Sequence, residues 1–269
     1  MNRRIKRAPV GAALPISILI HVVALLLLLV NVRFWPLSLV LVALNYALLV
    51  IAGLWPRSTL LGLNHRRLSP QAGAAGHVAL TIDDGPDPQV TPQVLQMLDQ
   101  YNCKATFFCI GEQVAANPEI ARDIVRRGHL IENHTQRHFL TFSLMGPRAM
   151  RREVLQAQTE IAAVAGERPR YFRAPAGLRN ILLDWVLRVE GLQLVSWTRR
   201  GFDTVTNKPE LILARLTRNL RGGDILLLHD GHAARCADGT PVIVAVLPSL
   251  LAAIAHAGLT CVTLEGSLR

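Results

Sequence analysis

The stretch TIDDGP, residues 81–86, decides the fold prediction. An apolar run from His77 to Ile82 leads into it and predicts a buried strand that ends at two adjacent carboxylates and a Gly-Pro turn. Adjacent acids at a strand end repel each other and lose hydration, so this placement does not stabilise the fold. A metal ion bound by one acid, with the other free as a base, would explain the pair. A solvated turn is the alternative interpretation.

Strand and helix patterns alternate from His77 onward. The predicted strands are 77–82, 104–109, 129–132, 170–173, 192–197, 225–229 and 259–264. Proline marks four helix starts, and glycine stands at five expected helix C-caps, namely Pro92, Pro118, Pro147 and Pro209, and Gly128, Gly166, Gly191, Gly222 and Gly258. This alternation predicts an α/β fold with a parallel sheet that could close into a barrel. Catalytic residues in such folds lie beyond the C-terminal ends of the strands, where we expect Asp83 and Asp84.

Two apolar stretches near the N-terminus predict a helical hairpin in a membrane. Residues 14–32 carry no charge apart from any on His21, and residues 37–55 are uncharged. Each stretch has about 19 residues, close to the length that a helix needs to cross the hydrocarbon core. A signal peptide is the alternative interpretation, but it would leave the second stretch unexplained.

Charges around the hairpin favour one orientation. Basic residues at positions 3, 4, 6 and 7 precede the first span, and Arg57, Arg66 and Arg67 follow the second, whereas Arg33 alone lies in the turn. The positive-inside rule then places both ends of the hairpin in the cytoplasm. We therefore expect residues 1–57 to anchor the protein in the bacterial inner membrane. Residues 58–75 are expected to form a linker, and residues 76–266 a domain that faces the cytoplasm.

The composition limits the classes of binding partner that we expect. The chain has 269 residues, with 29 Lys and Arg against 19 Asp and Glu. Such an excess of basic residues is typical of proteins that bind nucleic acid or an anionic membrane surface, and it also arises by compositional drift. No basic stripe interleaved with aromatics is present in the sequence, so we expect no nucleic acid partner. The four cysteines, at positions 103, 109, 236 and 261, match no zinc ribbon or CxxC motif and predict no disulfides.

Polar residues follow four further strands. His134 and His138 come after the third strand, and two histidines four apart can reach one ion if the segment turns helically. With one carboxylate they would give three protein ligands, the number typical of a catalytic metal site. Surface histidines at this spacing are the alternative interpretation.

The other strand ends supply an arginine, an acid and a histidine. Arg173 begins the stretch RAPAG and could hold a carboxylate bidentately, although a surface arginine before a turn is the simpler interpretation. Asp203 closes the stretch WTRRGFD. His229 ends the apolar run ILLLH, and beside the other polar groups it suits a general acid. His232 is a weaker candidate, as is His21 within the first span.

The ordered stretches TIDDGP, HTQRH, RAPAG, WTRRGFD and LLLH resemble the five motifs of the NodB-type polysaccharide deacetylases, carbohydrate esterase family 4. The resemblance covers roughly residues 76–265. It implies a distorted (β/α) barrel of about seven parallel strands and metal-dependent hydrolysis of N-acetyl groups from amino sugars. It does not account for the hairpin.

The resemblance also implies roles, carried over by motif position. Asp84, His134 and His138 are similar to the metal ligands, with zinc favoured over cobalt, nickel or manganese. Asp83 is placed like the base, Arg173 like the residue that steadies it, and His229 like the catalytic acid oriented by Asp203. Leu227 would line the acetyl-methyl pocket, and Pro175 and Ala176 would contact substrate.

Two positions depart from the family pattern. Ala176 stands where an aromatic side chain is usual, and Thr204 where Trp is usual. Because those rings help to form the sugar groove, a long polymer becomes a less favoured substrate. A cytoplasmic site would favour a lipid-linked, N-acetylated sugar beside the membrane lipids. An outward-facing site would favour peptidoglycan or an exported polysaccharide. A catalytically silent carbohydrate-binding protein is the third alternative.

Overall fold

The computed structural model describes residues 11–268, so the basic residues at positions 3–7 lie outside the described part. The helices are α1 (Ala13–Val30), α2 (Trp35–Leu54), α3 (Pro70–Ala74), α4 (Thr91–Gln100), α5 (Gly111–Ala116), α6 (Pro118–Arg126), α7 (Pro147–Ala165), α8 (Leu183–Glu190), α9 (Pro209–Thr217) and α10 (Val242–His256). The strands are β1 (His77–Asp83), β2 (Ala105–Cys109), β3 (Leu130–Asn133), β4 (Tyr171–Phe172), β5 (Gln193–Leu194), β6 (Arg199–Arg200), β7 (Ile225–His229) and β8 (Thr260–Cys261).

The strands form one sheet in the order β5-β4-β3-β2-β1-β7-β6, with β8 paired to β1. Every strand pair is parallel, which confirms the predicted α/β class. Alternate β1 side chains point to opposite faces. Leu80 and Ile82 pack with the surrounding helices in the largest apolar cluster. Thr81 and Asp83 therefore share the opposite face, towards the barrel interior.

One extended segment connects the two ends of this sheet. Its first residues form β5 against β4, and its last residues form β6 against β7, with four residues, 195–198, between them. The segment 193–200 therefore closes the sheet into a distorted barrel with a gap in its wall. The sequence prediction of a single strand over 192–197 missed β6 because its two arginines do not match an apolar strand pattern.

The segment expected to be a linker lies in that gap. The His65 N–H donates to the Leu194 carbonyl, and the Ser196 N–H donates to the His65 carbonyl, both at 2.9 Å. Further along, the Leu68 N–H bonds to Gly223 and the Ser69 side chain caps α3. Residues 58–75 are thus hydrogen-bonded into the barrel rather than extended away from it.

Helix ends follow the sequence signals, with one correction. Prolines lie in the first turns of α4, α6, α7 and α9, and Gly166 and Gly191 end α7 and α8 in the left-handed region, as predicted. Gly222 as a C-cap is wrong, because α9 already ends at Thr217. Gly222 instead lies against the backbone of Gly73, where a Cβ atom would overlap the Gly73 carbonyl. All four cysteines are free thiols.

The N-terminal hairpin has the dimensions of a membrane anchor. Ala13–Val30 and Val32–Leu54 are long and apolar enough to cross a membrane, and in an 18-residue apolar stretch of each only 17% and 22% of the residues are buried. Core helices of this hydropathy would be mostly buried, so two such exposed helices suggest an anchor. The helices contact each other through small polar groups. Asn45 donates to the Ser17 hydroxyl, and Ser38 donates to the Ala24 carbonyl, both at 2.9 Å.

The hairpin also contacts the barrel at the end of α2. The Arg179 N–H donates to the Gly53 carbonyl, and the Arg179 guanidinium donates to the Ser58 carbonyl. Gly53 permits this approach because a Cβ there would overlap the Arg179 carbonyl. Leu61 packs with Ala13 and Ala52 on the same side. The loop that follows β4 is therefore held against the C-terminal end of α2.

Candidate active site

Asp83 and Asp84 lie where the central strand ends. Asp83 is the last residue of β1 and is in register with Phe108 of β2 and His229 of β7. Asp84 takes a left-handed conformation, with φ of 80°, so the two carboxylates do not follow the alternation of a strand. Both side chains are buried. The turn passes close to a third acid, since a Cβ on Gly85 would overlap the Asp230 carboxylate.

Asp84, His134 and His138 converge, which is the group that the motif resemblance implied. Asp84 Oδ1 lies 3.3 Å from Nε2 of each histidine, and the three ligand atoms lie within 4.8 Å of one another. The two histidines do not lie on a helix. Thr135 and His138 have φ of 69° and 53°, and this irregular turn brings both rings to Asp84. The two rings therefore meet through an irregular turn and not through the helical turn that the spacing argument assumed.

The donor atoms of this group fit a metal ion. The His134 ring donates through Nδ1 to the Arg173 carbonyl at 2.8 Å, which orients the ring so that Nε2 is the nitrogen that faces Asp84. Burial, then the charge of His134, lowers the pKa of His138 to about 4, so its ring is neutral near pH 7. Asp84 Oδ1 is buried and has no hydrogen-bond partner. Two imidazole nitrogens and one carboxylate oxygen that face one point suit a divalent cation.

Arg173 holds Asp83. Its Nη1 donates to Asp83 Oδ1 at 2.6 Å and to the Thr81 hydroxyl at 2.8 Å. Arg173 is 1% exposed, and its guanidinium lies 4.1 Å from the centroid of the Phe108 ring. The alternative interpretation of a surface arginine is therefore wrong. Because Asp83 Oδ1 is occupied, its Oδ2 is the oxygen that remains for a proton, and it lies 3.8 Å from Nε2 of His134.

His229 is held by Asp203. Asp203 accepts from the His229 backbone N–H at 2.7 Å and from Nδ1 at 3.0 Å. Burial alone would lower the pKa of His229, but the Asp203 hydrogen bond and the negative charges of Asp203, Asp83 and Asp84 raise it to about 9. His229 is therefore protonated at neutral pH and can donate a proton from Nε2.

These groups open onto a cleft of about 460 Å³. Asp83, Asp84, His134, His138 and His229 all line it, together with Leu227, Ala176, Gly177, Trp197, Arg200, Thr204, Leu140, Ile110, Glu112, Gln113, Arg137 and His232. Ala176 and Thr204, the two departures from the family pattern, lie in its wall. Pro175 is buried and is not among the lining residues.

Three residues near the centre had no firm sequence signal. His232 Nδ1 lies 3.2 Å from Asp84 Oδ2, so Asp84 faces three histidines. Burial raises the pKa of Asp230 to about 7, and its carboxylate accepts from Thr91. Trp197 supplies an aromatic wall. His232, in the stretch HDGH, was only a weaker candidate, and Trp197 begins the motif WTRRGFD but had been given no role of its own. His21 packs edge-on against Tyr46 within the hairpin.

Comparison with known proteins gives the same family as the motifs. Residues 71–195 match the polysaccharide deacetylase family. The chain is 36% identical over 194 residues to a peptidoglycan-N-acetylglucosamine deacetylase from Bacillus cereus, covering 71% of this chain and 88% of that protein. It is 37% identical to a chitooligosaccharide deacetylase from Sinorhizobium fredii, covering 63% of this chain and 79% of that protein.

The fold matches as well. A carbohydrate esterase family 4 pseudoenzyme from Bacillus anthracis superposes with a TM-score of 0.68 at 22% identity, covering 77% of this chain and 69% of that protein. Since a pseudoenzyme has this fold, the fold alone does not indicate activity. Motifs, site geometry and relatives together give one assignment: this chain is a member of the polysaccharide deacetylase family, carbohydrate esterase family 4.

Proposed function

We propose that the protein hydrolyses the N-acetyl group of an amino sugar in a metal-dependent reaction that releases acetate and leaves a free amine. The observation that carries this proposal is the convergence of Asp83, the Asp84–His134–His138 group and His229 on one cleft. In the reaction, water adds its oxygen to the acetyl carbon and the bond from carbon to nitrogen breaks.

Asp84, His134 and His138 would hold the metal, and two histidines with one carboxylate suit zinc. A divalent metal bound there would acidify a water molecule and polarise the acetyl carbonyl. Asp83 accepts the proton of the attacking water through Oδ2, because Arg173 occupies Oδ1.

His229 gives a proton to the departing nitrogen, and Asp203 keeps its ring oriented. Leu227 lines the cleft at the register of Thr81, two residues before His229, so it is placed to contact the acetyl methyl group. In the turn 175–177, Pro175 has no N–H and the Gly177 N–H donates to the Ala174 carbonyl. The Ala176 N–H is therefore the donor we propose for the developing oxyanion.

The pKa of His229 leads to a pH prediction. A general acid works in its protonated form, so activity falls as pH rises through the pKa of about 9. Asp203→Asn removes the largest contribution that raises this pKa, and burial then favours the neutral ring. We expect the alkaline limb of the kcat profile to move to lower pH. Asp238→Asn, at an exposed loop, is the matched control and should leave the limb in place.

The substrate class follows from the relatives and the hairpin. The two relatives are deacetylases of peptidoglycan N-acetylglucosamine and of chitooligosaccharides, so an N-acetylated amino sugar is proposed here. The charge bias of the flanks supports a cytoplasmic active site, where cell-wall polymer does not occur. A lipid-linked amino-sugar precursor is therefore the favoured substrate. The hairpin would raise its effective concentration at the site.

Acetate release by the full chain in detergent tests the activity, with a chitooligosaccharide and a lipid-linked N-acetylglucosamine as substrates. Release from either supports the deacetylase, and release from neither would favour the silent carbohydrate-binding alternative. C-terminal fusions test the orientation. A fluorescent, phosphatase-silent fusion supports the cytoplasmic site. The reverse result would favour peptidoglycan or an exported polysaccharide.

A further inference from the structure

A second cleft, of about 500 Å³, opens where the chain leaves α2 and crosses the gap in the barrel wall. We call it the basic cleft. Its lining residues are Trp55, Arg57, Asn64, His65, Arg66, Arg67, Trp197 and Thr198. None of them is acidic, and none takes part in the chemistry proposed above.

Two of the arginines have charges that no carboxylate in the described part of the chain neutralises. Arg57 and Arg66 are exposed, and their guanidinium groups contact the carbonyls of Thr198 and Arg57, each at 3.4 Å. Within residues 11–268 neither forms an ion pair. Both side chains are therefore available to an anion.

The third arginine is fixed in place. Arg67 donates to Asp224 Oδ1 at 2.7 Å, and Arg199 donates to the other oxygen of the same carboxylate, also at 2.7 Å. Asp224 is fully buried, and its single negative charge is shared by the two arginines. The wall of the cleft therefore keeps a positive charge and has little freedom to rearrange.

The position of the basic cleft relates it to both the membrane and the catalytic cleft. Trp55 follows the last residue of α2 and is 58% exposed, as expected of a side chain at a membrane interface. Trp197 lines the basic cleft and also the catalytic cleft, so the two are neighbours across one side chain. A ligand that passes Trp197 could occupy both.

We propose that the basic cleft binds the phosphate that joins an amino sugar to its lipid carrier. The inference rests on the proposed function and adds the part of the substrate that the catalytic cleft does not recognise. The guanidinium group of arginine can bind two phosphate oxygens at once, which would account for two arginines here that have no carboxylate partner within residues 11–268. The sugar then extends past Trp197 to Asp83, while the lipid lies beside α2 in the bilayer.

Another explanation is that Arg57 and Arg66 only orient the hairpin or attract bulk anionic lipid. Binding to the purified full chain in neutral detergent separates these explanations. In detergent the hairpin is no longer being inserted into a membrane and no bulk anionic lipid is present, so neither role would produce specific binding. The probes are farnesyl phosphate, farnesol, inorganic phosphate and phosphatidylglycerol. The test variant is Arg57→Gln/Arg66→Gln. The matched control is Arg148→Gln/Arg152→Gln, which removes the same charge from two exposed arginines that line neither cleft.

We expect farnesyl phosphate to bind at least about tenfold more tightly than the other three probes, and the test variant to lose about tenfold or more of that affinity. The control should bind like wild type. Equal binding of farnesol, equal binding of inorganic phosphate or phosphatidylglycerol, or an unchanged test variant would overturn the proposal. Thermal melting of both variants shows whether any loss comes from unfolding.

Kinetics then separate this inference from the deacetylase proposal. The test variant should show a raised KM for a farnesyl-phosphate-linked N-acetylglucosamine and unchanged turnover of a chitooligosaccharide. Equal loss on both substrates would contradict a phosphate site. Absence of acetate release from every substrate by wild type would contradict the deacetylase, while the binding comparison would still decide the role of the basic cleft.

Discussion

Asp83→Asn is expected to release acetate about 10²–10⁴-fold more slowly than wild type while it retains bound metal. The physical reason is that the two acids at the end of β1 have different partners, Arg173 for Asp83 and the two histidines for Asp84. Asp83 is held by Arg173 through Oδ1 at 2.6 Å, and its second oxygen faces the site. An amide in this position can still accept from Arg173 through its oxygen, but it cannot take a proton from water. Acetate release and metal content, measured on the same sample, check this expectation.

The control for this variant concerns folding. Arg173 is buried, and loss of its carboxylate partner leaves a charge that is only partly compensated. A thermal melt of Asp83→Asn, compared with Asp238→Asn, shows whether the lost activity comes with lost structure. A folded Asp83→Asn that keeps wild-type turnover would remove Asp83 as the base. A variant that loses its metal would move Asp83 into the ligand group.

Asp84→Asn and His134→Ala are expected to lose both metal and acetate release. Asp84 Oδ1 is buried with no hydrogen-bond partner, and Nε2 of His134 faces it at 3.3 Å. Removal of either donor leaves two protein ligands, too few for a catalytic site of the usual kind. We expect metal content to fall well below one ion per chain. Activity should fall by at least the factor expected for Asp83→Asn, because the metal acts on both water and carbonyl.

Asp87→Asn is the matched control for the metal measurement. Asp87 lies in the same loop after β1, but its carboxylate accepts from the Gln89 and Val90 N–H groups rather than facing the histidines. Its metal content should equal that of wild type. Full metal content in both Asp84→Asn and His134→Ala would contradict the assignment of the ligand group.

The sequence predicted the strand ends well because the fold class determines them. A buried parallel strand must end at the same edge as its neighbours, so Asp83 and His229 meet once both are recognised as strand ends. The motif resemblance then supplied the pairing of Asp84 with His134 and His138, which the structure brings together. The roles of these residues stay predictions until the variants are measured.

Other features depended on contacts that the sequence does not encode locally. The motif resemblance implied that Arg173 steadies Asp83, but the second bond of Arg173, to the Thr81 hydroxyl, was not predicted, because it depends on the path of the chain across the barrel interior. Trp197 lines the cleft because the segment 193–200 leaves a gap between β5 and β6. Residues 58–75 have no periodicity, yet they fill that gap through backbone hydrogen bonds, which leave no side-chain pattern.

The measurement that tests the central claim most directly is acetate release from a chitooligosaccharide by the full chain after metal removal and after zinc is restored. The Asp84–His134–His138 group predicts that chelation abolishes release, that one equivalent of zinc restores it, and that His134→Ala is not restored at the same zinc concentration. Release that continues unchanged in the metal-free protein would contradict the account.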